Sequence, residues 1–370
     1  MVNKLIISNV LHRPIRTAVS VLAVAIEVGM VILVVGLCHG LVDDSAHRME
    51  GVGADILVQP PGASFIIGMS QAPMPIKIAD RLRELPRVLA VAPALFLVNS
   101  VRSLSVIYGI DMASFNRVSG GFVYYARLPG PPPFQAPYDI LVDDIYARAN
   151  HSKVGQTINL LNHDFRIAGI VEHGKGARMF IPLSTAQDMM GAQERASMFF
   201  VKCTDPAFAE QTADAIRTLL PTYSIMPIKE YMGLMTSNNL PGLSYFISAM
   251  IGIAVGIGFL VIFLSMYTTI TERTREIGIL KSLGASKAYI VSAILREAAL
   301  LTAVGIIAGF LGSIVMRRVL LGLFPTLPVE ITWDWRLYAA CLALTGSLVG
   351  AFYPAVRAAR LDPVDALAYE

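Results

Sequence analysis

Long apolar stretches without charge alternate with charged ones along this chain. No charged side chain occurs from Tyr231 through Thr271 or from Ala298 through Met316, and Leu337 to Val356 is a third such run. A fourth, Thr17 to Leu41, is interrupted only by Glu27 and His39. A helix needs roughly 20 apolar residues to cross a bilayer. The pattern therefore predicts membrane-spanning helices at residues 17–41, 243–270, 289–315 and 337–356. Residues 1–16 mix Lys4, Arg13 and Arg16 with Leu5, Ile6, Ile7, Val10 and Leu11. That is the pattern of an amphipathic helix lying in the inner interface, broken or kinked at Pro14. The first span runs into Asp43, Asp44, His47 and Arg48 rather than the small residues of a cleavage site, and so reads as an uncleaved anchor.

Between the first and second spans, residues 42–240 have the short, turn-broken apolar runs of a water-soluble domain. Ala54 to Val58, Val88 to Val98, Ser103 to Ile110 and Ser197 to Val201 read as strands. Ile158 to Leu161 and Phe165 to Val171, split by Asn162, His163 and Asp164, read as a hairpin. Ile76 to Leu85 and Pro206 to Leu220 read as helices; in the second, Phe208, Ala213, Ile216 and Leu220 form one stripe. The order implies an α+β domain with βαβ pieces at its two ends and a β-rich insertion between. Pro60 to Pro75 is a loop carrying Phe65, Ile66, Ile67, Met69 and Met74. The expected fold class is an α-helical membrane protein with four transmembrane helices and an α+β extracytoplasmic domain inserted between the first and second.

Residues 271–288 form the charged link between the second and third spans. Glu272 and Arg275, and Arg273 and Glu276, are three apart and so are neighbours on a helix surface. Ile277, Leu280 and Leu283 line another side. Gly284 suits a left-handed helix end, and Ser286 suits the cap of the next helix. Such a helix lies at the membrane surface and is either a solvated loop or a face offered to a partner.

The run Glu272-Arg273-Thr274-Arg275-Glu276-Ile277-Gly278-Ile279-Leu280-Lys281-Ser282-Leu283-Gly284-Ala285-Ser286 resembles the cytoplasmic loop of the FtsX/MacB-like permeases of ABC transporters. Tyr353 to Leu367, with Arg357, Arg360, Asp362 and Pro363, resembles that family's C-terminus. Ile167 to Glu172, together with Phe180 to Gln187, resembles its periplasmic core domain. The resemblance implies a homodimeric permease in the cell inner membrane. An ABC ATPase subunit would dock on Glu272, Arg273, Arg275, Glu276, Ile277, Leu280, Lys281 and Gly284. It further implies export or extraction of an amphipathic or membrane-associated substrate (lipid, lipoprotein, peptide, drug or haem), driven by mechanotransmission to the outer domain. A membrane-fusion or periplasmic partner is in keeping with it. The alternative within the same family is a non-transporting regulator of an extracytoplasmic cell-wall hydrolase.

Composition sharpens this picture. Hydrophobic residues make up 55% of the chain and charged ones 15%, with a net charge of +3. The excess of apolar residues fits membrane spans, and the small net charge with no nucleic-acid motif excludes that partner class. The three cysteines, Cys38, Cys203 and Cys341, are too far apart in sequence to suggest an intramolecular disulfide framework. No GxxxxGK[ST] phosphate loop occurs in the chain; ATP and Mg are expected on a separate ATPase subunit, with no cofactor on this chain and no catalysis by it. His151, His163 and His173 with Asp164 match no metal-site spacing. Glu27 is different, because a carboxylate near mid-bilayer is costly and marks function by default. With Met30 on the same face it is a candidate substrate-binding pair, which can ligate haem iron. The other reading is a protonated Glu27 hydrogen-bonded to a neighbouring helix, with Met30 as packing. Gly252 and Gly256, Gly305 and Gly309, and Gly346 and Gly350 have the small-residue spacing that lets membrane helices approach. Cations at both ends and in the 271–288 link place both termini and the 357–370 tail in the cytoplasm and residues 42–240 outside; Arg317 and Arg318 dissent.

Overall fold

Helix α1, described from Pro14, runs without a break to Gly51 in the computed structural model. The structure describes residues 14–62, 73–99, 105–130, 133–234, 240 and 242–362. Residues 1–13 of the expected interfacial helix, the centre of the Pro60–Pro75 loop and the last residues of the tail lie outside them, while residues 14–16 belong to α1. The sequence suggests that the first span ends at Leu41, where charge begins, but the helix continues. Nothing between Leu41 and Glu50 breaks it, and the charges pair along one face: His47 with Asp43 at 3.5 Å and Arg48 with Asp44 at 3.2 Å. Two compact units divide within this helix. One gathers Met1–Gly40, Pro241–Leu323 and Val329–Glu370; the other gathers Leu41–Leu240 and Phe324–Pro328.

The second unit is built on a mixed sheet. Its elements in order are β1 (Ile56–Gln59), β2 (Met74–Pro75), α2 (Ile78–Arg83), β3 (Val88–Asn99), β4 (Ser105–Ile110), α3 (Met112–Ser119), β5 (Tyr124–Arg127) and β6 (Asp139–Asp143). Then come α4 (Asp144–Ala149), β7 (Thr157–Leu160), β8 (His163–Val171), β9 (Met179–Pro182), α5 (Leu183–Met190), β10 (Arg195–Ala196), β11 (Met198–Cys203), α6 (Ala209–Leu219), β12 (Ser224–Pro227) and α7 (Ile228–Leu234). The ten-stranded sheet runs β12-β1-β11-β3-β4-β9-β6-β8-β5, with β7 on β8, while β2 and β10 pair separately. β11 lies antiparallel between β1 and β3, and β1 antiparallel between β11 and β12. Each end is thus a split βαβ unit, β1–α2–β3 and β11–α6–β12, and the insertion between them extends the same sheet beyond β3. The expected two-ended arrangement is present, with its parallel strands kept apart by an antiparallel neighbour. The core under α2 and α6 is Ile56, Val58, Leu82, Phe199, Val201 and Ile216. A second core, in the insertion, gathers Leu95, Ile107, Ile140, Phe165, Met179 and Ile181.

The first unit holds the other long apolar helices: α8 (Leu243–Glu272), α10 (Lys287–Leu323) and α11 (Trp333–Arg360), with the short α9 (Thr274–Ser282) between the first two. With α1, these make four helices long and apolar enough to cross a membrane. α1 meets α8 in an antiparallel register. Ser20 Oγ and Ser265 Oγ are 2.7 Å apart, and Glu27 abuts Gly258 seven residues further along α1 and seven back along α8. α1 meets α10 at Gly305 and Gly309; a Cβ added at Gly309 would stand 2.9 Å from the Ala25 carbonyl oxygen. Gly350 stands equally close to Phe259 of α8. Gly252 and Gly256 have no atom in reach of an added Cβ and face outward from this chain. Arg317 is not a stray cation, since its Nε donates to the Val329 carbonyl at 3.0 Å, near the start of α11.

Candidate functional site

The charged link folds into two turns of helix set between two longer ones. α8 ends at Glu272, Arg273 forms the joint (φ −111°, ψ 19°), and α9 follows. α9 ends where Gly284 takes φ +92°. The Gly284 amide donates to the Lys281 carbonyl and the Ala285 amide to the Leu280 carbonyl, both at 3.0 Å. This is the paired Schellman pattern that satisfies the last carbonyls of a helix. Ser286 Oγ then accepts from the Tyr289 amide at 3.2 Å and starts α10. The stop and restart follow directly from the Gly-Ala-Ser order.

α9 is tied to each of its neighbours. Arg273 Nε donates to Glu276 Oε2 at 2.7 Å within the link, and Arg273 Nη1 lies 3.6 Å from Glu297 Oε2 on α10. Glu297 is buried, so this pair works in a lower dielectric than a surface bridge. At the other end Lys281 Nζ donates to the Ala359 carbonyl at 3.1 Å and to the Leu361 carbonyl. A cation there meets the negative end of the α11 dipole. Ile277 packs with Ile270, Ile290, Ala358 and Ala359. A cavity of about 340 Å³ remains among α8, α9 and α10, walled by Met266, Ile270, Ile277 and Ile294 with Arg273, Glu276 and Glu297 at its polar side.

Of the residues singled out in the sequence, Arg273, Ile277 and Lys281 turn inward and serve as anchors. Glu272, Arg275, Glu276, Leu280 and Gly284 are exposed. Ile277 and Leu280 therefore do not share a buried face; Leu280 is 42% exposed, Ile279 44% and Leu283 80%. These three apolar side chains stand beside exposed charges, as a docking surface requires. Glu297 was missed. Its only sequence signal is a charge at the very edge of an apolar run. The carbonyl partners of Lys281 carry no sequence signal at all.

Glu27 and Met30 lie one turn apart on α1. Glu27 is 5% exposed and its Oε2 has no hydrogen-bond partner among the described residues. An added Cβ on Gly258 would overlap its carboxylate. Met30 is half-buried and lies with Val31, Val34, Val35, Met250 and Ile251. The carboxylate is thus pressed into a helix contact, while the thioether sits one turn further along. Among the described residues, which include His151, His163 and His173, no cluster of three His, Cys, Asp or Glu side chains suits a metal ion.

The signature of the MacB-like periplasmic core domain matches residues 17–219, and that of the FtsX-like permease C-terminal region matches residues 248–363. The macrolide export ATP-binding/permease protein MacB of Rhodospirillum rubrum is 30% identical, covering 96% of this chain and 58% of its own length. The pyoverdine export ATP-binding/permease protein PvdT of Pseudomonas syringae pv. tomato is 27% identical, covering 96% of this chain and 57% of its own length. The chain thus spans less than two thirds of the length of these relatives. The crystallised periplasmic region of MacB from Actinobacillus actinomycetemcomitans aligns over 52% of this chain and 97% of its own, at 18% identity and a TM-score of 0.38.

Proposed function

Because the chain belongs to the MacB/FtsX-like family of ABC transporter permeases, we propose that it is the membrane component through which a partner ATPase drives export or extraction of an amphipathic substrate. It sits in the inner membrane, with α9 in the cytoplasm and the sheet unit outside, and works as a homodimer. The observation that carries this reading is the anchoring of α9. It is continuous with α8 through Arg273, paired to α10 through Glu297 and bonded to the end of α11 through Lys281. A push on Ile279, Leu280 and Leu283 is therefore delivered to three membrane helices together. In this reading the energy enters through an ATPase docked on α9.

Two substitutions on the exposed face test this. Glu276→Lys reverses a charge and Leu280→Asp places one in the apolar trio. Both are expected to abolish co-purification of the ATPase and its stimulation, while the permease still inserts and keeps its melting temperature within a few degrees. Normal co-purification with normal ATPase stimulation in both variants overturns the reading.

Haem is one substrate of the right class, with Glu27 and Met30 as the pair that would meet it. Purified protein titrated with hemin is then expected to shift the Soret band, less so in Glu27→Ala and Met30→Ala. A spectrum equal to that of hemin in detergent removes haem and leaves Glu27 as a packing contact.

A further inference from the structure

The cavity of about 340 Å³ among α8, α9 and α10 lies wholly within the first unit. The chain leaves the α8 axis at Arg273 and turns back into α10 after Gly284. The three helices meet at Ile277, which packs with Ile270 and Ile290, and these same side chains line the cavity. The charge-free run of α8 ends at Thr271, and that of α10 begins at Ala298. In a bilayer both limits fall at the headgroups, so the cavity stands at the depth where amphiphiles hold their heads. Arg273, Glu276 and Glu297 are the charged side chains that line it. Arg273 Nε donates to Glu276 Oε2 at 2.7 Å, and its Nη1 lies 3.6 Å from Glu297 Oε2. One guanidinium therefore faces two carboxylates, which leaves one negative charge in excess. Glu297 is 7% exposed, so water screens that charge poorly.

We propose that this cavity binds a single-chain amphiphile with a primary ammonium head. The chain lies among Met266, Ile270, Ile290 and Ile294, and the ammonium meets Glu297 and Glu276. Size, wall chemistry and charge each select this ligand. At roughly 30 Å³ per methylene, about the share of a water molecule in the liquid, the cavity holds on the order of ten chain carbons. Apolar walls with a few convergent polar groups are the usual make-up of a small-molecule site. An ammonium head cancels the excess negative charge, whereas a carboxylate head adds to it and a neutral head leaves it. A primary ammonium also offers three N–H donors to the two carboxylates, and a quaternary one offers none. Glu27 and Met30 are not among the lining residues, so this site is separate from that pair. It also stands apart from the permease reading, because binding is measured on this chain alone.

Photolabelling of the full-length chain in phosphatidylcholine nanodiscs tests the site. The probe is decylamine with a diazirine at the chain end, charged at neutral pH as a lysine ammonium is. The matched alcohol and carboxylic acid are its controls. Amine adducts are expected in residues 266–270 and 290–294, about tenfold above both controls, the worth of roughly one charged hydrogen bond. Ala293→Phe, which fills the cavity, should abolish labelling there by all three probes. Glu297→Gln should bring amine labelling down to the level of the alcohol, while the alcohol still labels. No adduct in either segment overturns the site, and equal labelling by the three probes overturns the charge selection. If Glu297→Gln melts well below the wild type, Glu276→Gln, on the exposed face, becomes the deciding variant: it must lower the amine-to-alcohol ratio, and an unchanged ratio overturns the proposal. Ethanolamine phospholipid added to the nanodiscs separates two sources of the head. Displacement of the probe shows that leaflet lipid supplies it, and undiminished labelling shows that a free amine does; the site stands in either case. Labelling must also persist when the ATPase is bound. Its loss gives the cavity to a side chain of the partner and overturns the ligand site, whereas failure to bind any ATPase brings down the permease reading and leaves the labelling result standing.

Discussion

Glu27 shows what one side chain contributes inside an apolar helix. A carboxylate there is expensive unless it is neutral or paired, and its Oε2 finds no partner among the described residues. Its place is defined instead by shape, because Gly258 leaves room for it and any side chain at Gly258 would not. Glu27→Gln keeps this shape without a charge and is expected to leave the melting temperature in detergent within a few degrees. Gly258→Ala forces the carboxyl aside and is expected to cost about 1 kcal/mol or more. Combining Gly258→Ala with Glu27→Ala removes the conflict. The double variant should therefore lose less than the sum of the two single ones, a coupling that a thermal double-mutant cycle reads directly. Strict additivity would show that the two positions do not touch.

At the scale of elements, close approach separates glycines that the spacing rule treats alike. Gly309 presses on the Ala25 carbonyl and the Val28 side chain of α1, whereas Gly252 meets nothing. Gly309→Leu is expected to destabilise the helical unit by about 1–3 kcal/mol through overpacking. Gly252→Leu should be neutral or slightly stabilising, because a good helix former replaces glycine. Melting curves in detergent compare them; equal losses would refute the assignment. Periodicity and charge make the four long helices legible, and Gly284 and Ser286 mark the stop and restart around α9, because these signals are local. The length of α1 is not legible. Asp43, Asp44, His47 and Arg48 look like the end of a span, and only their pairing along one face shows that the helix goes on. α3, β5, β6, β9 and α5 were missed for another reason. They are short, and β6 and β9 owe their existence to distant strand partners. The same holds for the Arg273–Glu297 pair, whose members are brought together by tertiary packing.

At the scale of the molecule, we propose an orientation of the chain from which helix ends share a side and where the cations fall. Lys281 bonds carbonyls at the end of α11, so the α9 link and that end lie together. α8 and α10 each leave this side as long apolar helices. Arg273, Arg275, Lys281, Lys287, Arg357 and Arg360 crowd the α9 side, and cations near span ends face the cytoplasm. Arg317 and Arg318 are the outliers; the bond of Arg317 to the Val329 carbonyl gives it a structural task that charge counting ignores, while Arg318 still counts against the rest. The sheet unit should accordingly face outward. Cysteine labelling in intact cells checks this in a background without Cys38, Cys203 and Cys341. Cys341 is exposed and must be removed, whereas Cys203 is buried with its thiol pushed up by burial and would react poorly in any case. A membrane-impermeant maleimide is expected to label Glu210→Cys, on the exposed face of α6, in intact cells. It should label Lys287→Cys, at the exposed start of α10, only after the cells are opened. Labelling of Lys287→Cys in intact cells, with Glu210→Cys protected, would invert the topology and place the exposed face of α9 beyond the reach of any cytoplasmic ATPase.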